Sequence, residues 1–164
     1  MSDRARQVLF GRNPRRTVVR LVVLAVVSFI TFTWILIPVR AQGVSMLPTY
    51  ESGSFNLVNR LAYTINAPSR GDVVAVQLAG PHVVYIKRIV GMPDERVAIL
   101  KGVVVVNGRP LDEPYVRNRA PWNLSEMHLA SDEYFLVGDN RGMSEGEHDF
   151  GRAPRARIIG KVLF

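Results

Sequence analysis

Apolar positions fall into two regimes along the chain. Residues 21–39 (LVVLAVVSFITFTWILIPV) carry no charge over 19 positions and are bounded by Arg20 and Arg40. Apolar side chains would occur all round a helix built on this run, which argues for a membrane span over an amphipathic surface helix. At 1.5 Å per residue it reaches roughly 28 Å, close to the hydrocarbon thickness of a bilayer. Trp34 lies near its far end, where an interfacial aromatic belongs. Beyond Arg40 the pattern changes to short runs rich in Val and Ile, punctuated by Gly, Pro and Asn. These predict strands at Ser54–Val58, Asp72–Leu78, Val83–Val90, Arg96–Leu100, Val103–Val106, Tyr134–Val137 and Arg157–Leu163. Lys101-Gly102 predicts a tight turn, and Val106-Asn107-Gly108 carries the strongest hairpin signal. Residues 109–133 lack clear periodicity and predict an irregular insertion. The fold class is mainly β: an antiparallel, barrel-like domain over residues 40–164 on a single N-terminal transmembrane helix at 21–39.

Charge orients this arrangement. The formal net charge of +7 invites a nucleic-acid reading. However, residues 1–20 hold six Arg and one Asp, so most of the excess lies in a basic tail and not on a folded face. No nucleic-acid partner is expected. Only Arg40 is basic within residues 40–59. The positive-inside rule then places the tail in the cytoplasm and residues 40–164 on the extracytoplasmic side of the cell membrane. The alternative is a cleaved secretory signal, with Val39 and Ala41 as the small −3 and −1 residues. The apolar run of 19 exceeds the usual 7–15 of a signal core and favours a retained anchor. The chain has no Cys, which excludes a disulfide framework, a thiolate zinc site and a Cys nucleophile. The three His residues, His82, His128 and His148, are scattered, and no metal or other cofactor is expected.

Three segments carry candidate chemistry. Ser45 stands in Gly43-Val44-Ser45-Met46-Leu47-Pro48-Thr49, five residues after Arg40. A nucleophilic Ser needs a constrained, exposed backbone, a base and donors for an oxyanion. Gly43 permits close backbone approach and Pro48 restricts the chain. Taken alone, Ser45 is also one of nine Ser residues, in a membrane-proximal loop. Lys87 interrupts the apolar run V-V-Y-I-K-R-I-V, and on a strand it shares a face with Val83, Tyr85 and Ile89. Desolvation there would lower its pKa and make it a neutral base. The competing reading is an edge-strand Lys whose stem packs on apolar surface while its head reaches water. The third segment, Gly138-Asp139-Asn140-Arg141 followed by Ser144, reads as a polar turn or as groups that orient the Lys. Arg88, on the opposite strand face from Lys87, is a candidate partner for Asp139.

Together these segments resemble the bacterial type I signal peptidase (leader peptidase) family, membrane-bound Ser/Lys proteases. The resemblance rests on four ordered blocks: G-V-S-M-L-P-T at 43–49, R-G-D-V-V at 70–74, Y-I-K-R-I-V-G at 85–91 and G-D-N-R-x-x-S at 138–144. It implies that Ser45 is the nucleophile and Lys87 its general base, with Ser144 hydrogen-bonded to the Lys ammonium. It also implies that Asp139 supports the site through Arg88, and that Met46, Tyr85 and Ile86 line a groove with shallow pockets for small residues at −1 and −3. The implied fold is a β domain on the membrane surface. The implied partners are exported preproteins and the lipid bilayer. Two departures stand out. Gly43 occupies a position where many members carry an oxyanion-hole Ser, leaving the Ser45 backbone N–H as the donor. The usual S-x-D-S-R is replaced by Ser144-Glu145-Gly146-Glu147-His148, so Asp149 or Glu147 is left to supply the missing carboxylate.

The expected function is therefore removal of signal peptides from exported preproteins through a Ser/Lys acyl-enzyme. The altered 145–149 segment keeps open a specialised maturation peptidase of the same family, such as one acting on a conjugative pilus subunit. From a different class comes a membrane-anchored β domain that only binds. His148 is the one candidate for a Ser/His variant, set against the matched Lys motif.

Overall fold

The computed structural model describes residues 13–78 and 83–163. The first twelve residues of the basic tail and His82 lie outside the described residues. Helix α1 (Pro14–Ile30) starts on a proline, whose fixed φ and missing N–H suit the first helical turn. It continues through a π-helical turn at Thr31–Ile35. Arg15–Ile35 is a 21-residue helix of hydropathy 2.3, long and apolar enough to cross a membrane, with none of its most apolar window buried in the protein.

This corrects the expected helix at 21–39 at both ends. Leu36–Arg40 form strand β1. Pro38 cannot continue a helix and disfavours helical geometry at Ile37. A proline is tolerated there because β1 is at the edge of its sheet. β1 pairs antiparallel with β2 (Phe55–Asn59), and the Arg60 N–H donates to the Ile35 carbonyl at 3.0 Å. The apolar helix is thus continuous with the sheet.

The remaining strands are β3 (Val73–Val76), β4 (Tyr85–Gly91), β5 (Arg96–Leu100), β6 (Val103–Val106), β7 (Arg109–Pro110), β8 (Leu124–His128), β9 (Glu133–Val137), β10 (Gly151–Pro154) and β11 (Ile158–Leu163). Every pairing among the described residues is antiparallel. The strands form two open sheets instead of one closed barrel: β1-β2-β11-β3-β4-β9-β10, and β7-β6-β5-β8. Both predicted tight turns are present. Lys101 and Gly102 have φ of 50° and 81°, and Asn107 and Gly108 of 49° and 76°, the doubly left-handed turn that matches strand twist.

Residues 109–133 are not an irregular insertion. They supply β7 and β8, which complete the second sheet, and Trp122 and Leu129, which are buried in the core between the sheets with Val90, Val97, Ile99, Phe135 and Val137. A second cluster (Val74, Val76, Ile89, Leu136, Ile158) covers the centre of the first sheet. A third joins Met46 to Val58, Val73, Ala75 and Val162.

Candidate active site

Ser45 lies in the loop from β1 to β2. Its neighbour Met46 is 5% exposed and packs in the third core cluster, so an apolar plug fixes the loop against the sheet. The loop is gripped from above by the turn after β9. The Asn140 N–H donates to the Ser45 carbonyl and Asn140 Nδ2 to the Val44 carbonyl, both at 3.0 Å. Gly138 allows this approach: a Cβ there would stand 2.2 Å from the Ser45 carbonyl oxygen and 2.6 Å from the His148 ring. Gly43 acts differently from the close approach expected of it. A Cβ at Gly43 would meet nothing within 4 Å, and its φ of +92° is what calls for glycine. Among the described residues the Ser45 N–H has no hydrogen-bond acceptor.

Lys87 is on β4, an interior strand between β3 and β9, and is 1% exposed. The edge-strand alternative is therefore overturned. Its Nζ donates to Ser45 Oγ at 3.0 Å, bringing together two residues 42 apart in sequence. Burial pushes the Lys87 pKa down to about 8, and the nearby Asp149 carboxylate opposes that shift. Of the two carboxylates considered for this region, Asp149 is thus the one whose charge reaches Lys87.

Asp139 and Arg88 meet. Arg88 Nε donates to Asp139 Oδ1 at 2.8 Å and Nη2 to Oδ2 at 2.6 Å, a two-pronged ion pair with Asp139 fully buried. Thr49 Oγ1 donates to Asp139 Oδ2 at 2.5 Å, which ties the pair back to the Ser45 loop. The structure does not bring Ser144 to Lys87. The Ser144 hydroxyl donates instead to Glu147 Oε2 at 2.7 Å, on an exposed turn. A one-turn 3-10 helix at Glu145–Glu147 brings that carboxylate back to Ser144 and engages its hydroxyl locally.

His148 is 4% exposed and neither ring nitrogen has a hydrogen-bond partner. Burial, then the charges of Lys87 and Arg141, push its pKa down to about 4, so it is neutral at physiological pH. Main-chain groups of Asp149 and Asn140 lie near the ring but outside hydrogen-bonding geometry. It packs edge-on against Trp122, with ring centroids 4.8 Å apart. The Ser45 hydroxyl is paired with Lys87 and not with His148. Among the described residues, no group of His, Asp and Glu is arranged to hold a metal ion.

Met46, Tyr85 and Ile86 line one groove together with Ser45, of about 470 Å³. It runs between the end of β1 and the start of β4, flanked by Ala41 and Ala75. The lining is mostly small and apolar side chains, with Arg40 and Gln42 at the β1 end and Tyr50 and Tyr85 adding aromatic surface. Sequence reasoning quoted Thr49 and Asn140 inside motifs and assigned them no role. It gave no sign of Glu113, Tyr115 or Trp122, which brace the turn after β9 from the supposed insertion.

Residues 15–164 match the family described as Signal peptidase, peptidase S26. The chain is 34% identical over 127 residues to a signal peptidase I of Leptolyngbya laminosa, covering 73% of this chain and 63% of that one. It is 34% identical over 137 residues to a signal peptidase I of Bacillus caldolyticus, covering 75% of each. Signal peptidase IB of Staphylococcus aureus is 28% identical over 165 residues, covering 90% of this chain and 86% of that one. This chain therefore spans just under two thirds of the length of the Leptolyngbya relative. Among solved structures, a signal peptidase I from Enterococcus faecalis aligns with a TM-score of 0.48 at 24% identity, over 61% of this chain and all of that one.

Proposed function

Because the chain belongs to the signal peptidase family, peptidase S26, we propose that it is a membrane-anchored serine endopeptidase that removes signal peptides from exported preproteins. The observation that carries the proposal is the 3.0 Å contact between Ser45 Oγ and the buried Lys87 Nζ. In this reading neutral Lys87 accepts the Ser45 proton as Oγ attacks the carbonyl after a small residue. In this reading the Ser45 N–H, which has no acceptor among the described residues, donates to the developing oxyanion. Protonated Lys87 then passes its proton to the leaving amine. The same Lys activates the water that hydrolyses the acyl-enzyme.

Desolvation makes this base usable. With the pKa at about 8 in place of 10.5, about a tenth of Lys87 is neutral at pH 7, roughly 300-fold more than for an unburied lysine. The active form is the deprotonated one. Cleavage is therefore expected to rise about tenfold per pH unit below pH 8 and to level off above it. A kcat/KM profile measured from pH 6 to 10 checks this; a flat profile would remove Lys87 from the role of base.

The helix Arg15–Ile35 holds the enzyme in the membrane. We place the basic tail on the cytoplasmic side and the β domain on the outer side, following the Arg asymmetry. Confinement to one membrane surface raises the local concentration of enzyme and preprotein. The deciding experiment incubates the detergent-purified full chain with a preprotein bearing Ala at −3 and −1. Cleavage after the −1 Ala, absent in Ser45→Ala, is the expected result. Equal processing by Ser45→Ala would remove Ser45 from the role of nucleophile, and no cleavage by folded wild type would favour the binding-domain reading.

A further inference from the structure

We infer that Tyr115 is a positioning residue for the Ser45–Lys87 centre, acting through the Arg88–Asp139 pair; the inference rests on the peptidase reading above. Tyr115 lies between β7 and β8 and is not among the residues that line the groove. Its ring covers the Arg88 guanidinium, whose Cζ is 4.0 Å from the ring centroid. Below that ring, Arg88 is committed on its other atoms: Nε and Nη2 hold Asp139, and Nη1 donates to the Gly71 carbonyl at 2.7 Å. Asp139 in turn accepts from Thr49, four residues beyond Ser45 in the same loop. The contacts run Tyr115 to Arg88 to Asp139 to Thr49, and end on the loop that presents Ser45.

The Tyr115 ring is itself held. Its hydroxyl donates to Glu113 Oε1 at 3.0 Å, and Glu113 is a fully buried carboxylate paired with Arg141. Burial and the neighbouring Glu113 charge push the Tyr115 pKa upward, so the phenol remains a donor. The Arg88 side chain is only 12% exposed. A π face over a largely desolvated guanidinium adds attraction and also excludes water from the ion pair beneath it. Without the ring, water reaches Arg88, the fork loosens on Asp139, and Thr49 loses its fixed acceptor. Lys87 is held by its own strand, so the loss falls on the alignment of Ser45, which governs kcat and not substrate affinity.

The test compares Tyr115→Leu with Tyr115→Phe in the full detergent-solubilised chain. Leu keeps apolar bulk without a π face; Phe keeps the π face without the hydroxyl. For Tyr115→Leu, kcat is expected to fall about tenfold with KM within about twofold, and for Tyr115→Phe kcat is expected to stay within about threefold of wild type. Amide hydrogen exchange gives a readout independent of cleavage. Tyr115→Leu is expected to speed exchange in residues 43–50 and 138–144 and to leave β11 unchanged. Wild-type exchange in 43–50, faster exchange throughout including β11, or equal impairment by Leu and Phe would each overturn the inference. If wild type shows no Ser45-dependent cleavage, the peptidase reading fails, and the exchange pattern still decides whether Tyr115 controls the Ser45 loop.

Discussion

Substituting Lys87 by Arg is expected to lower preprotein cleavage about a thousandfold or more while the protein remains membrane-bound and folded. The two side chains carry the same charge at neutral pH, so a purely electrostatic role for Lys87 would survive the change. A base would not. The guanidinium keeps its proton at any pH the protein tolerates, whereas burial has already brought Lys87 down to about 8. Geometry adds to the loss, because the planar fork replaces a single Nζ in a site that is 1% exposed. The check is kcat/KM for wild type, Lys87→Arg and Lys87→Ala at pH 9, where wild-type Lys87 is mostly neutral. Residual activity should also lose the rise with pH. Activity of Lys87→Arg within tenfold of wild type would assign the base to another residue.

The second large effect is on stability. Glu113→Gln is expected to cost about 3–5 kcal/mol, because it leaves the Arg141 guanidinium buried without a counter-charge. Both side chains are 0% exposed. Arg141 Nη1 and Nη2 both donate to Glu113, and Nε donates to the Gly138 carbonyl at 2.8 Å. Arg119 stands 3.8 Å from the same carboxylate but is a third exposed, so water already serves it. Thermal unfolding of the solubilised chain checks the value; a drop in Tm of roughly 10 °C corresponds to it. The paired change Glu113→Leu with Arg141→Met removes both charges and should recover most of the loss. Persistent destabilisation in that double variant would mean that the hydrogen bonds to Gly138 and Tyr115 outweigh the charge pairing. The location matters for the site, because Gly138 and Asn140 grip the Ser45 loop from the same turn that Arg141 anchors.

Where local pattern and tertiary demand agreed, the sequence was legible. The aliphatic run could be read without a partner as long and apolar enough to cross a membrane, since that reading uses only length and absence of charge. Its end was misjudged because Leu36–Val39 are apolar for a different reason: they form an edge strand, and only the pairing with Phe55–Asn59 distinguishes the two. The two-residue turns at Lys101-Gly102 and Asn107-Gly108 were legible because Gly102, Asn107 and Gly108 tolerate positive φ, and Lys101 joins its glycine in the same geometry. β8 (Leu124–His128) was not, because it alternates weakly and is a strand through its pairing with β5. β10 contains both Gly and Pro and likewise exists by pairing with β9.

The chemistry divides the same way. Ser45, Lys87, Asp139 and Arg88 each break or punctuate a local pattern, but only the resemblance of the four motif blocks gave them roles. Ser144 was misplaced because Glu147, immediately before the unusual His148, captures its hydroxyl, a competition that a motif match does not contain. Glu113 and Tyr115 carried no local signal at all, since a buried acid in a featureless segment looks like a solvated one. By itself, then, the amino-acid order determined the anchor, the antiparallel β character and the pair of residue types able to do Ser/Lys chemistry. The tertiary structure alone decided that Ser45 and Lys87 meet, that Thr49 reaches Asp139 across 90 positions, and that the 113–122 segment braces the turn over the site. Those contacts depend on strand order and on the register shift between Ile89 and Gly91 where β4 meets β9. A one-residue slip would send each side chain to the other face of the sheet, and no local propensity records that choice.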